Sequence, residues 1–197
     1  MYVQAAIKQN ILLRNGAYGI VMRGVQKCTR GCSSLRGRKR LPLCCIKLDT
    51  ATDFACGTGG FITSWLKELD KQVTTTEDKE KYNNSIYGIE KKQFPYMLCI
   101  TNMLLHDLDV PQVFHSNSLL HDVLDYTEDD QFDVILMNPP YGGSEKAEVK
   151  NHFPSDLASS ETADLFMSVI MYRLKKNGRA AVILPDGFLF GTDNAKI

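Results

Sequence analysis

The chain has 197 residues, 44% of them hydrophobic, which is enough to bury the core of one domain. No secretory signal and no apolar run of membrane-spanning length occurs, which excludes a membrane protein and points to the cytoplasm. The formal net charge of zero hides an asymmetry, because residues 1–47 carry ten Lys or Arg and no Asp or Glu while residues 48–197 hold the acidic excess.

Residues 1–47 form a basic segment of uncertain order, centred on SSLRGRKR from Ser33, and such a tract can serve as a nucleic-acid arm. Cys28, Cys32, Cys44 and Cys45 lie in or beside it. Adjacent cysteines are poor co-ligands and no histidine is near, so no metal site is assigned.

Residues 48–197 read as alternating strands and helices. An apolar-leaning segment from Ile46 to Phe54 runs into DFACGTGGF and then FITSWLKEL, where Phe61, Trp65, Leu66 and Leu69 recur at helical spacing. Strand, glycine turn and helix follow one another. Asp53, Ala55, Gly57, Thr58, Gly59 and Gly60 thus form a turn against which a ligand can lie, facing free N–H groups at the helix start. A dinucleotide-binding turn would place a third glycine where Ile62 stands, so the pattern is a different one. After the polar stretch KQVTTTEDKEKYNN, a strand SIYGIE ends at Glu90, where a carboxylate can accept both hydroxyls of a ribose. KKQFPYMLCITNMLL reads as a helix whose Phe and Met residues pack in the core. FHSNSLLHD follows, with Asn117 open to reading as a ligand contact or as a turn cap.

FDVILM, from Phe132 to Met137, reads as a central buried strand that breaks into Asn138, Pro139, Pro140 and Tyr141. A planar exocyclic amine or amide nitrogen is a poor nucleophile, because its lone pair is delocalised into the π-system. The Asn138 side-chain oxygen and the Pro139 carbonyl could each accept one N–H, turning the lone pair toward an incoming methyl group while Tyr141 stacks on the ring and Pro140 fixes the loop. TADLFMSVIMYRLKK then reads as a core helix, and GRAAVILPDGFLFG as a strand and its exit. The alternation implies an α/β fold with a doubly wound, mostly parallel, Rossmann-like sheet.

With ACGTGGF and NPPY in place, the chain resembles the amino-methyltransferases that use S-adenosyl-L-methionine, and most closely the modification subunit of type I restriction-modification systems. The resemblance covers about Thr52 to Phe190 and implies a DNA adenine-N6 methyltransferase core. It implies that Asp53, Gly57 and Gly59 lie near the methionine part of the cofactor, that Glu90 binds the ribose, and that Asn117 and Ser118 lie beside the adenine, with Asp122 competing for Asn117's place. Expected partners are DNA and the specificity and restriction subunits of a type I system. Two alternatives stay open: a protein glutamine-N5 methyltransferase, which faces the same electronic problem, and a non-catalytic remnant that folds or binds cofactor without turnover.

Such subunits are longer, so the chain reads as truncated at both ends and the sheet as incomplete, with an exposed edge. Residues 1–47 do not resemble family sequence, and a shifted frame or misplaced start is preferred over a nucleic-acid arm.

Overall fold

The computed structural model describes residues 11–14, 17–23, 49–141 and 143–184. Its centre is a sheet of seven strands: β1 (Ile11–Arg14), β2 (Ala17–Arg23), β3 (Ala51–Asp53), β4 (Ile86–Glu90), β5 (Val113–His115), β6 (Phe132–Met137) and β7 (Leu174–Leu184). They lie in the order β1-β2-β7-β6-β3-β4-β5. The five from β7 to β5 are all parallel, as the alternating pattern requires, because parallel neighbours need crossover connections. Along the other side of β7, β2 runs antiparallel, and β1 runs antiparallel along β2. The cysteines at 28, 32, 44 and 45, the SSLRGRKR tract, Ile46 and the residues beyond Leu184 lie outside the described residues.

Helices α1 (Gly60–Asp70), α2 (Thr76–Asn83), α3 (Gln93–Leu104), α4 (Ala147–Lys150) and α5 (Thr162–Arg173) cover the sheet. One core cluster joins α1 and α3 to the sheet through Ile62, Trp65, Leu66, Leu69, Cys99 and Met103. The other buries α5 through Leu165, Phe166, Met167, Val169 and Ile170. The polar stretch between α1 and β4 is helical, which its hydrophobic pattern conceals. The signal is a capping box, in which the Thr75 side chain accepts the Asp78 N–H and the Asp78 carboxylate accepts the Thr75 N–H.

The reading of α3 as a core helix needs correction. Only Cys99 and Met103 are buried on it, whereas Phe94 is 71% exposed, Met97 56% and Leu104 52%, and Leu105 just beyond is 73% exposed. These residues share a helical face, and in this fold the sheet takes only the opposite one. Helix α5 is the contrary case, buried nearly all round, and it ends at Arg173 rather than running through Lys176. Leu174 already pairs with Phe132, and the register then shifts, with Asn177 at φ 75° carrying the irregularity.

Arg173 anchors the end of α5. Its buried guanidinium lies 4.3 Å from the Tyr126 ring centroid, 5.0 Å from Phe54, 5.2 Å from Phe132 and 5.6 Å from Tyr87, and its Nε donates to the Asp130 carbonyl at 2.6 Å. An enclosed cation held by four rings joins β4, β6 and the segments after β3 and before β6 at one point. Replacing it with Met keeps most of the apolar stem but removes the charge and the hydrogen bond. Arg173→Met is therefore expected to lower stability by about 2 to 3 kcal/mol in urea unfolding followed by circular dichroism; an unchanged midpoint would show the cage to be inert.

Candidate functional site

The chain leaves β3 in one direction, through β4 to β5, and returns to β6 and β7 on the other side, so β3 and β6 flank the point where strand order reverses. Ligands in such sheets bind at the carboxyl ends of the strands at that point. A cavity of about 290 Å³ lies there, lined by Phe54, Ala55 and Gly57 after β3, Glu90 at the end of β4, Asn117 and Ser118 after β5, and Asn138 and Pro140 after β6.

The turn after β3 is shaped by hydrogen bonds to two carboxylates. Asp53 accepts the Ala55 N–H at 3.0 Å, and Glu90 accepts the Gly57 N–H at 2.8 Å through one oxygen and the Lys92 N–H at 2.7 Å through the other. Gly57 sits at φ 55° and an added Cβ there would meet nothing within 4 Å, so the turn presents open backbone toward the cavity. Gly59, at φ 84°, serves packing instead: its Cβ would lie 2.7 Å from the Cys99 sulfur of α3.

Around the rest of the wall, the Ser118 hydroxyl donates to the Phe54 carbonyl at 2.6 Å, fastening the segment after β5 to the end of β3. The Asn117 oxygen accepts the Leu119 N–H at 3.2 Å, so this residue caps a turn and also lines the cavity. Asp122 caps the next short turn, accepting the Leu124 N–H, and is not among the lining residues. At the end of β6, the Tyr141 hydroxyl lies within hydrogen-bond reach of both the Asn138 side-chain oxygen and the Ile183 carbonyl. Tyr141 is 46% exposed and does not line the cavity, so a stacking role requires its ring to turn from this position.

Of the residues expected from sequence, Ala55, Gly57, Glu90, Asn117, Ser118, Asn138 and Pro140 meet on one cavity. Asp53, Thr58, Gly59, Gly60, Pro139 and Tyr141 do not line it; Asp53 is buried behind the wall, and Pro139 is buried beside it. Sequence reasoning missed Lys91 and Glu145. The Lys91 ammonium lies 3.1 Å from Glu145 Oε1, and both residues line the cavity, so an ion pair spans it from the Glu90 end to the loop after Tyr141. That loop is held by Thr162, whose N–H and hydroxyl both donate to the Gly143 carbonyl. Lys92, Pro95, Ser116 and Phe166 were missed as well, and Phe166 reaches the cavity from α5, which only the packing of α5 reveals. No local motif marks Lys91, Glu145 or Phe166.

Among the described residues, no group of three or more His, Cys, Asp or Glu is placed to hold a metal ion, and no helix is long and apolar enough to cross a membrane.

The five parallel strands, the helices and the cavity at the switch point define an α/β protein of the class I methyltransferase fold. Residues 46–197 match the family model described as N-6 DNA Methylase. The chain belongs to the N-6 DNA methylase family. It is 48% identical to the type I restriction enzyme EcoEI methylase subunit of Escherichia coli over 73% of this chain and 29% of that protein. The crystal structure of a modification subunit from Vibrio vulnificus YJ016 superposes with a TM-score of 0.70 at 39% identity, over 75% of this chain and 32% of that one. A methyltransferase subunit of the type I restriction-modification system from Streptococcus thermophilus superposes at 0.57 with 26% identity, over 75% of this chain and 32% of that one. The chain thus spans less than a third of the length of these relatives.

Burial pushes the Asp53 carboxyl up to about 7, with the Glu90 charge adding to the rise and the Ala55 N–H opposing it. A carboxyl raised from an ordinary value of 3.8 adds stability that is complete below that value and lost as pH rises through about 7. Asp53→Asn keeps an acceptor for Ala55 and removes the titration. Between pH 8 and pH 6 the natural protein is expected to gain about 1 to 1.5 kcal/mol relative to this variant, read from urea midpoints at the two pH values. Parallel pH profiles would remove the shift.

Proposed function

We propose that this chain is the S-adenosylmethionine-dependent core of a DNA adenine-N6 methyltransferase of the type I modification class. The observation that carries the reading is that one cavity joins Glu90 at the end of β4 to Asn138 at the end of β6. The residues fit the cofactor. Open backbone at Gly57 faces the cavity, each Glu90 oxygen keeps a lone pair beyond its backbone hydrogen bond, and Phe54 and Phe166 supply apolar walls.

In this reading Ala55 and Gly57 face the methionine part, Thr58, Gly59 and Gly60 complete the turn outside the cavity, and Asp53 positions that turn from behind. Glu90 accepts the ribose hydroxyls, and Asn117 and Ser118 flank the adenine, with the Ser118 side chain spent on Phe54. When bound, the cofactor supplies an electrophilic methyl group on a sulfonium. The protein's part is to present the nucleophile. Asn138 Oδ1 exchanges its Tyr141 partner for one amine N–H, the Pro139 carbonyl accepts the other, and the nitrogen lone pair turns out of the ring plane. Tyr141 then stacks on the base and Pro140 keeps the loop rigid. No covalent enzyme intermediate is needed.

An adenine paired in a duplex cannot offer N6 to such a site, so the base must leave the helix. We assign the remaining requirements, sequence reading and cleavage, to specificity and restriction subunits working with this chain on DNA in the cytoplasm. The family match and the relatives named as restriction-enzyme methylase subunits favour DNA over a protein glutamine.

Calorimetric titration with S-adenosylmethionine tests the cofactor half of the reading. Glu90→Gln is expected to weaken binding by about 1.5 to 3 kcal/mol, through loss of charge-assisted hydrogen bonds; equal affinity would remove Glu90 from the site. Asn138→Ala tests the other half, with methyl transfer to duplex DNA falling by about 2 to 4 kcal/mol of barrier while cofactor affinity holds. Unchanged turnover would refute the role of Asn138.

A further inference from the structure

Beneath the cofactor turn lie two free cysteines that the proposed reaction does not use. Cys56 belongs to the turn and Cys99 to α3; both are buried, and their sulfur atoms are 3.8 Å apart across 43 residues of sequence. Nothing separates them, since the Cys56 thiol donates to the Cys99 sulfur. The space beside Cys99 exists because a neighbour lacks a side chain: a Cβ on Gly59 would meet the Cys99 sulfur at 2.7 Å. The turn is already held to the same helix by Asn102, whose Nδ2 donates to the Thr58 carbonyl at 2.7 Å. Sulfurs already in contact need no domain movement to bond; the turn and α3 have only to close the gap to the disulfide length of about 2 Å.

We infer that Cys56 and Cys99 are a dithiol modification site, closed to a disulfide by a hydroperoxide, that bolts the glycine turn to α3. One thiol attacks the hydroperoxide, breaking the O–O bond to give a sulfenic acid and releasing water or an alcohol. The second thiol displaces the sulfenic oxygen as water, and the S–S bond forms. Two sulfur-bound hydrogens are lost and the peroxide takes up the two electrons. Burial makes the step slow compared with that of an exposed thiolate, and a thiol reductant reverses it.

The test treats the whole chain with hydrogen peroxide, blocks the remaining thiols and maps non-reduced peptides by mass spectrometry. The expected product is one peptide pair joining Cys56 to Cys99, two hydrogens lighter than its reduced parts, with amide exchange over residues 55–60 slowed several-fold and restored by reductant. Cys99→Ala should abolish the linked pair and leave exchange in peroxide-treated protein at the reduced rate. The inference is overturned if Cys56 is recovered reduced, oxidised to sulfinic acid or joined to Cys28, Cys32, Cys44 or Cys45, or if the pair forms and exchange in the turn is unchanged. None of these readouts needs S-adenosylmethionine, so failure of the cofactor reading would show separately, in the titration.

Discussion

The buried carboxylate of Glu90 is the constraint on which the site depends. One oxygen holds the N–H of Gly57 and the other the N–H of Lys92, so a single side chain sets both the turn after β3 and the exit from β4. These are charge-assisted bonds in a water-poor place, where each is worth more than on the surface. The group proposed to hold the ribose therefore also shapes the turn proposed to hold the methionine, and these two parts of the cavity wall cannot be formed independently. Asp53 repeats the arrangement one step back, on Ala55, at the cost of carrying a carboxyl that burial drives toward neutrality.

Sheet topology does the rest of the assembly. Because strand order reverses between β3 and β6, the ends of strands that lie far apart in sequence open onto one crevice, and Glu90, Asn117 and Asn138 share its wall. Packing behind the sheet keeps those ends in place. Helix α5 is enclosed by the strands and by the short turns before β6, and its last residue, Arg173, gathers four aromatic rings around one cation, two from β4 and β6 and two from the segments after β3 and before β6. Helix α3 is the opposite, with one face on the sheet and the other lined by Phe94, Met97 and Leu104 in the open.

Those two helices show why sequence was a better guide to elements than to environments. Both carry large apolar residues at helical spacing, and the pattern assigns both to the core; only the strands on either side decide that α5 is covered and α3 is not. The start of β7 was misplaced for a related reason, since LKK continues a helical pattern and only pairing with Phe132 draws Leu174 into the sheet. The helix α2 was missed where its evidence was local, in the Thr75 and Asp78 capping pair, because a search for apolar periodicity passes over a polar helix. Lys91 and Glu145 were missed because an ion pair between residues 54 apart leaves no mark on either segment.

What the sequence determined by itself is the family and the short segments that end at the cavity. ACGTGGF, Glu90 and NPPY are short runs in which residue type and spacing are fixed by backbone angles and hydrogen-bond needs, and such needs are legible wherever the run falls. What only the tertiary structure decided is which of those residues face one another. Asp53, though part of the motif, stands behind the cavity wall, Asn117 lines the cavity while Asp122 does not, Lys91 and Glu145 close across it, and Cys56 meets Cys99 beneath the turn. Such meetings depend on strand order and helix packing, which arise from the whole chain burying its apolar surface at once and are encoded in no single segment.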